Sequence, residues 1–447
     1  MNKPNFLKRL FGPASNKPGT LSAAAKRKIK QTVVRCHALL SERGEASGAT
    51  LARETLADYQ SLEGESLDAF FDLLAEEFSP EPEFVGRAAE AYRNDPSQTN
   101  LIHLQQVVEA PRQELFRRLN MAPGGTAAMV EMRRRILLGL KTHPEWAGSN
   151  ADLSHLLSSW FNRGFLTLQR IDWRTSAMVL EKLIQYEAVH QIQGWRDLRR
   201  RLQADRRCYA FFHPILPEEP VIFIEVALTR GMSARVQPLL DPDSAVLDAV
   251  KADCAIFYSI TNCQEGLRGI SFGNFLIKQV ADDLGREFPR LKTFATLSPI
   301  PGFRKWLISE AAKLDGQAEG NQITVLLDRL DHPEWPNDKG LSAKLQEPLT
   351  QLCAYYLANA KQKKEPLNAV ARFHLSNGAR LERLNWLGDT SEAGMSHSVG
   401  LMVNYVYKLA EVERNHEAYA RERKVIASSR LESLAKEAPL PTRGAAR

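Results

Sequence analysis

Two rhythms of apolar and polar positions divide this chain. Over residues 21–202 the apolar residues return at three- and four-residue steps, as they do on one face of a helix. Ile29, Val33, Cys36 and Leu40 make one stripe; others run through 67–78, 101–119, 130–140, 153–161 and 178–192. Pro80, Pro82, Pro96, Pro111 and the run Pro123-Gly124-Gly125 punctuate them. The pattern predicts an all-helical domain over 21–204, with no repeat at a fixed period. No catalytic constellation stands out there, so packing and self-association are its expected tasks.

Around Tyr209 the rhythm changes. Residues 221–228 form a nearly continuous β-branched and apolar run, the signature of a buried strand, and 254–260 form a second. A glycine-rich loop follows, then a helix over 273–288, then a third strand over 291–297 that stops at Ser298-Pro299. This strand–loop–helix–strand order predicts a crossover joining two neighbouring parallel strands. Residues 305–364 read as helices, an insertion or side layer. Asn368 is placed to cap a further short helix, and Asn377-Gly378 to end it, which sets His374 in its last turn. A strand is predicted over 381–387, and 399–412 is of mixed character. The fold class is therefore α+β: a flexible basic tail (1–20), a helical domain (21–204), an α/β domain with a mixed sheet and helical insertions (205–435), and a disordered tail (436–447).

Composition changes this picture little. With 447 residues, 44% hydrophobic and 25% charged, the chain has the make-up of a globular protein of two or three domains. No apolar run reaches the roughly 18 residues of a membrane span, so no membrane partner is expected. The N-terminus carries Lys3, Lys8, Arg9 and Lys17 without an apolar core and is not a secretory leader; a frayed basic tail is the preferred reading, with a short organelle-targeting segment as the alternative. Gly444-Ala445-Ala446-Arg447 is not a peroxisomal address. Five cysteines, an odd number with no C-x-x-C pair, fit reduced thiols in the cytoplasm and offer no zinc set. A net charge of +6 suits an anionic ligand. Arginines gather at Arg133-Arg134-Arg135 and at Arg196, Arg199, Arg200, Arg201, Arg206 and Arg207. No aromatic-rich nucleic-acid motif accompanies them, so they read as solvated helix faces and no nucleic-acid partner is expected.

Candidate chemistry sits in the second half. Between the second strand and its helix lies Gln264-Glu265-Gly266-Leu267-Arg268-Gly269-Ile270-Ser271-Phe272-Gly273-Asn274. Gly266, Gly269 and Gly273 let successive N–H groups approach one anion, and the helix N-terminus adds its dipole. The spacing is neither the P-loop nor the dinucleotide fingerprint. It resembles the pyrophosphate loop of GNAT-type acyltransferases, which cradles coenzyme A. Taken alone, such a turn is as readily structural, a serine before proline simply ends a strand, and a histidine in an apolar setting is a satisfied core residue.

Taken together, the motifs carry more. The chain resembles the malonyl-CoA decarboxylase family through His213-Pro214-Ile215-Leu216-Pro217, Phe257-Tyr258-Ser259-Ile260, the loop at Gln264, Glu287-Phe288-Pro289, Leu297-Ser298-Pro299-Ile300-Pro301-Gly302-Phe303, Phe373-His374-Leu375-Ser376-Asn377-Gly378-Ala379, Asn385-Trp386 and Gly400-Leu401-Met402 with Asn404-Tyr405. The resemblance implies a GNAT-like second domain that binds malonyl-CoA, and a homo-oligomer, dimer or tetramer, built through the helical domain. It implies Ser298 and His374 as catalytic residues, Tyr407 beside them, and Gln264, Gly266, Gly269, Gly273 and Ser259 as substrate-binding positions. No metal or cofactor is implied. The chain departs from the resemblance at Ser271, where relatives carry glutamate, so no carboxylate role is assigned there.

The implied reaction yields acetyl-CoA and carbon dioxide through a thioester enolate. A site for it must hold the carboxylate out of the thioester plane, stabilise the enolate oxygen and protonate carbon. A histidine can bond the carboxylate or act as acid, and a serine can orient the carboxylate or relay a proton; which of them protonates carbon stays open. His397 is the alternative acid, and His213 reads as a turn cap. Glu219 and Glu225 are either charges near the ligand or arginine partners. Two other activities fit the same loop: a GNAT acyltransferase and a non-catalytic malonyl-CoA sensor. A fragment starting near Asp205 is expected to keep the Ser298–His374 pocket and lose oligomer contacts.

Overall fold

The computed structural model describes residues 21–42, 44–270, 272 and 276–440. The expected basic tail over 1–20, Ser271, Gly273 and the tail from 441 onward lie outside the described residues. The chain forms two compact units. The first falls within Met1–Leu166, His213–Pro217 and Gln264–Phe272; the second within Thr167–Phe212, Glu218–Cys263 and Gly273–Arg447.

The first unit is helical, as the periodicity predicts: α1 (Ala23–Ser41), α2 (Glu45–Gln60), α3 (Glu65–Glu76), α4 (Pro82–Asn94), α5 (Gln98–Val108), α6 (Pro111–Asn120), α7 (Gly125–Gly139) and α8 (Ala147–Trp160). The α1 stripe goes inward, with Ile29, Val33, Cys36 and Leu39 buried and Leu40 only partly so. The stripe over 101–119 is split in two. Pro111 opens α6, and the residue before a proline is pushed out of the helical region, so Ala110 is extended at ψ 132°.

The second unit carries a mixed eight-stranded sheet in the order β1-β2-β3-β4-β5-β10-β6, with β9 paired to β10. Its strands are β1 (Thr167–Ile171), β2 (Arg206–His213), β3 (Leu216–Thr229), β4 (Cys254–Asn262), β5 (Thr293–Thr296), β6 (Ser298–Pro299), β9 (Arg380–Asn385) and β10 (Met402–Val406); β7 (Lys361–Gln362) and β8 (Glu365–Pro366) form a separate hairpin. β4 and β5 run parallel, as the crossover predicts. Between β1 and β2 lie α9 (Ala177–Tyr186) and α10 (Trp195–Arg201), and α11 (Gln237–Leu240) follows β3. The crossover helix is α12 (Leu276–Glu287). The predicted helical stretch after Ser298 is α13 (Phe303–Lys313), α14 (Ala318–Leu330) and α15 (Lys339–Ala358). α16 (Ala369–Ser376), α17 (Glu392–Ser398), α18 (Val412–Glu422) and α19 (Ser429–Lys436) complete the unit.

Two expectations are revised. The sheet unit begins at Thr167, ahead of the boundary read at 204/205. β1 pairs antiparallel with β2, and α9 and α10 cover the same core through Val179, Leu180, Leu183 and Leu198 against Cys208, Ala210, Phe212 and Phe223. The arginines of 196–207 are also not simply solvated: Arg200, Arg201 and Arg206 are 3%, 1% and 3% exposed. Arg201 pairs with Glu225, which is fully buried on β3, and with Asp197. Arg200 grips Asp205 with two bonds of 2.7 and 3.1 Å. Burial pushes the Glu225 carboxyl up, to about 8, against the pull of Arg201 beside it.

Candidate active site

His374 owes its place to a short capped helix. Asn368 Oδ1 accepts the Ala371 N–H at 2.8 Å at the start of α16, a cap worth about 1 kcal/mol. Its other side-chain end works too: Nδ2 donates to the Pro301 carbonyl at 2.9 Å, where the Tyr356 hydroxyl also donates at 3.1 Å. One side chain thus starts the histidine helix and ties it to the segment after Ser298. Gly378 ends the turn at φ 80°, with a Cβ there only 2.1 Å from the Val412 carbonyl, so no side chain fits.

Ser298 sits on β6 opposite Val403 of β10. Its Oγ lies 3.0 Å from His374 Nε2, so the two residues singled out in the sequence meet. The serine proton points elsewhere, to Thr296 Oγ1 at 2.8 Å. Ser298 therefore accepts from Nε2–H, and Nδ1 must accept the Tyr407 hydroxyl at 2.8 Å. The Thr296 hydroxyl oxygen also takes the Tyr405 N–H at 3.1 Å, and its carbonyl takes Asn404 Nδ2 at 2.6 Å. Asn404 is held in turn by Asn385 and Arg383. The imidazole stacks on Tyr405 at 4.5 Å.

This chain of groups is neutral. Burial alone pushes His374 down to about 3, with no charged group contributing, and burial raises the Tyr407 phenol well above its ordinary range. The phenol keeps its proton, as a donor to Nδ1 must. Ser298 is not poised as a nucleophile, because a nucleophilic serine gives its proton to the imidazole. It is a buried hydroxyl braced by N–H on one side and hydroxyl on the other, suited to donating a hydrogen bond or a proton.

The histidine shift has a stability consequence. Unfolded histidine binds a proton below about 6.5, whereas folded His374 does so only near 3. Between those values the unfolded state holds more protons, so stability is full above pH 6.5 and falls as pH drops. The stability difference between wild type and His374→Asn should be flat above pH 6.5 and shrink by about 1.4 kcal/mol per unit below it. Urea titrations at several pH values measure this; a parallel pair of curves would mean that His374 is solvated.

The loop belongs to the first unit. Gln264 is half-buried and its carbonyl accepts the Leu267 N–H at 2.9 Å. Gly266 lies against α7, where a Cβ would fall 1.9 Å from the Val130 carbonyl. Gly269 adopts φ 81°, and among the described residues nothing lies within 4 Å of where its Cβ would be. Gly273 is outside the described residues. Ser259, in β4 of the second unit, is buried and its hydroxyl is committed to the Glu187 carboxylate at 2.8 Å. Glu187 also accepts from Thr261 and from the N–H groups of Val189 and His190.

The alternative residues have other roles. His213 caps a turn, bonding the Trp160 carbonyl at 3.0 Å and the Ile215 N–H at 3.3 Å. His397 is exposed on α17. Glu219 pairs with Lys182, and Glu225 with Arg201. Thr296, Asn404 and the second role of Asn368 escaped the sequence reading. Asn404 had left a signal, as one polar residue inside the apolar run 401–406. Among the described residues, three potential metal ligands converge at Asp72, His143 and Glu145, which are partly exposed and engaged with Trp146 and one another.

The family model described as the malonyl-CoA decarboxylase C-terminal domain matches residues 164–443, and that of the N-terminal domain matches 78–161. The mitochondrial malonyl-CoA decarboxylase of the goose Anser anser anser is 37% identical over 406 residues, 83% of this chain and 81% of that one. The crystal structure of malonyl-CoA decarboxylase from Rhodopseudomonas palustris is similar at TM-score 0.86 and 49% identity, covering 91% of this chain and 99% of that one. The one from Agrobacterium vitis is similar at 0.84 and 48%, covering 90% and 99%.

Proposed function

Because the chain belongs to the malonyl-CoA decarboxylase family, we propose that Ser298 and His374 are the residues through which it acts. The reaction is decarboxylation of malonyl-CoA to acetyl-CoA and carbon dioxide. The bond to the carboxylate carbon breaks, its electron pair enters the thioester as an enolate, and a proton goes to carbon. The observation that carries the assignment is the 3.0 Å Ser298–His374 contact, buried and held from both ends. The carboxylate enters as a new acceptor for Ser298 and Nε2–H, replacing the bonds they make to Thr296 and to each other, and is held out of the thioester plane. Without a cation at the imidazole, the carboxylate is not stabilised by an ion pair it would lose on reaching the transition state. The donated proton is regained from water. Because the thioester carries the developing charge, the reading needs no metal or organic cofactor. Release of carbon dioxide from malonyl-CoA without an acyl acceptor, lost on replacing either residue, tests the assignment.

The loop 264–270 supports a coenzyme A diphosphate site, with Gly269 presenting backbone to the anion. Gly269→Val forces a branched side chain into a left-handed conformation and covers that backbone. Affinity for malonyl-CoA and for free coenzyme A should fall by about tenfold or more, measured by calorimetry. Unchanged coenzyme A affinity in the folded variant would make the loop structural. Ser259, with its hydroxyl on Glu187, fits a role in holding β4 rather than in touching substrate.

The helical unit is proposed to carry self-association. α5 buries none of its residues and α4 only Ala88, leaving Phe84, Ile102 and Val108 about half exposed. Among the described residues no helix is long and apolar enough to cross a membrane. Five buried free thiols favour a reducing compartment, and the cytoplasm is the location proposed.

A further inference from the structure

Arg133 of α7 is 4% exposed, and among the described residues no carboxylate pairs with it. Its neighbours Arg134 and Arg135 both bind Glu131, so the missing partner is peculiar to Arg133. A buried guanidinium without a counter-charge is costly unless its donors are well used. They are used on the glycine-rich loop. Nη1 donates to the Gly266 carbonyl at 2.6 Å and Nη2 to the Arg268 carbonyl at 3.0 Å. Asn150 and Ser154 of α8 hold the rest of the group, at 3.2 and 3.5 Å.

The second of those contacts has a stereochemical result. The Arg268 carbonyl and the Gly269 N–H belong to one trans peptide group and point in opposite directions. With the carbonyl fixed on Arg133, the Gly269 N–H faces away from the guanidinium. Among the described residues that N–H has no backbone partner, and nothing lies within 4 Å of where a Gly269 Cβ would be. A charged donor on the carbonyl also polarises the peptide and strengthens its N–H as a donor. Gly266 meanwhile rests on α7 so closely that a Cβ would meet the Val130 carbonyl at 1.9 Å, so the loop cannot shift to compensate.

We propose that Arg133 is a positioning residue for substrate binding: it turns the Arg268–Gly269 peptide so that its N–H meets the coenzyme A diphosphate, and adds an uncompensated positive charge behind it. The proposal rests on the reading of the loop as the diphosphate site. It places control of substrate affinity in the helical unit, on a side chain that acts through the backbone of the loop.

The test uses the full chain and two substrates, malonyl-CoA and malonyl-pantetheine, which lacks the diphosphate. Arg133→Gln removes the charge and the paired donors; Arg133→Lys keeps the charge but cannot reach both carbonyls, and stands in should the glutamine variant not fold. KM for malonyl-CoA should rise about tenfold or more in Arg133→Gln and less in Arg133→Lys, with kcat little changed and kcat/KM for malonyl-pantetheine unmoved. An equal loss on both substrates, or a fall in kcat alone, would show a purely structural residue. Should Gly269→Val also leave coenzyme A affinity intact, the diphosphate reading itself fails; a Gly269→Val loss with both Arg133 variants unaffected overturns Arg133 alone.

Discussion

His374→Asn is expected to lower kcat by about 10²-fold or more while leaving KM for malonyl-CoA within a few-fold. Asparagine keeps a polar group in the cavity but cannot bridge Tyr407 and Ser298, which the imidazole joins at 2.8 and 3.0 Å. Ser298→Ala should lose somewhat less, because water can occupy the space beside Thr296. The pH dependence separates this arrangement from ordinary histidine catalysis. An imidazole already neutral down to about 3 contributes no inflection near pH 6.5 to kcat/KM, which reports the free enzyme. A wild-type limb at that pH, absent from His374→Asn, would mean that the ring titrates and works as imidazolium. Near-normal turnover in a folded His374→Asn protein would remove the histidine from the mechanism.

The second large effect is on folding. A fragment beginning at Asp205 should fail to fold, contrary to what the sequence alone led us to expect. It would lack Arg201, leaving the fully buried Glu225 carboxyl without its hydrogen-bond partner, and a buried polar group so orphaned costs about 1–3 kcal/mol. It would lack Glu187, which gathers Ser259 and Thr261 on β4. It would also strip Ile171, Val179, Leu180, Leu183, Ile192 and Leu198 from one side of a shared core, each removal costing about 2–5 kcal/mol. Together these exceed the roughly 5–15 kcal/mol that holds a domain folded. Circular dichroism should show no cooperative melting for 205–447, whereas a chain from residue 164 keeps all these groups. Cooperative unfolding of the shorter fragment would show that the buried charges are dispensable.

What the sequence showed and what it hid follow from the reach of each signal. Period and punctuation are local, so the helices, the β4–α12–β5 crossover and the Asn368-to-Gly378 helix were readable, with only their ends displaced. β1 was missed because Thr167–Ile171 is a short strand that buries only Ile171, and its mixed residues carry no apolar alternation. β10 was read only as mixed because Asn404 interrupts it, and that asparagine is there to hold Thr296. The arginines near 200 looked solvated because a sequence does not show which charges a fold will pair. Ser298 and His374, 76 residues apart, were joined by resemblance. No spacing rule would have joined them, or disclosed that the serine's proton points to Thr296.

The bond from Arg133 to the Gly266 carbonyl spans 133 residues. During synthesis, α7 leaves the ribosome long before the segment that completes its surroundings. At the usual pace of translation the delay is on the order of ten seconds. Until then a guanidinium destined for burial has only water, Asn150 and Ser154 to bond. The helical unit, although first in the chain, is thus not a module that can mature ahead of the rest. Its folding is vectorially incomplete until the loop of residues 264–270 has emerged, which ties the quality of the N-terminal helices to a segment encoded far downstream.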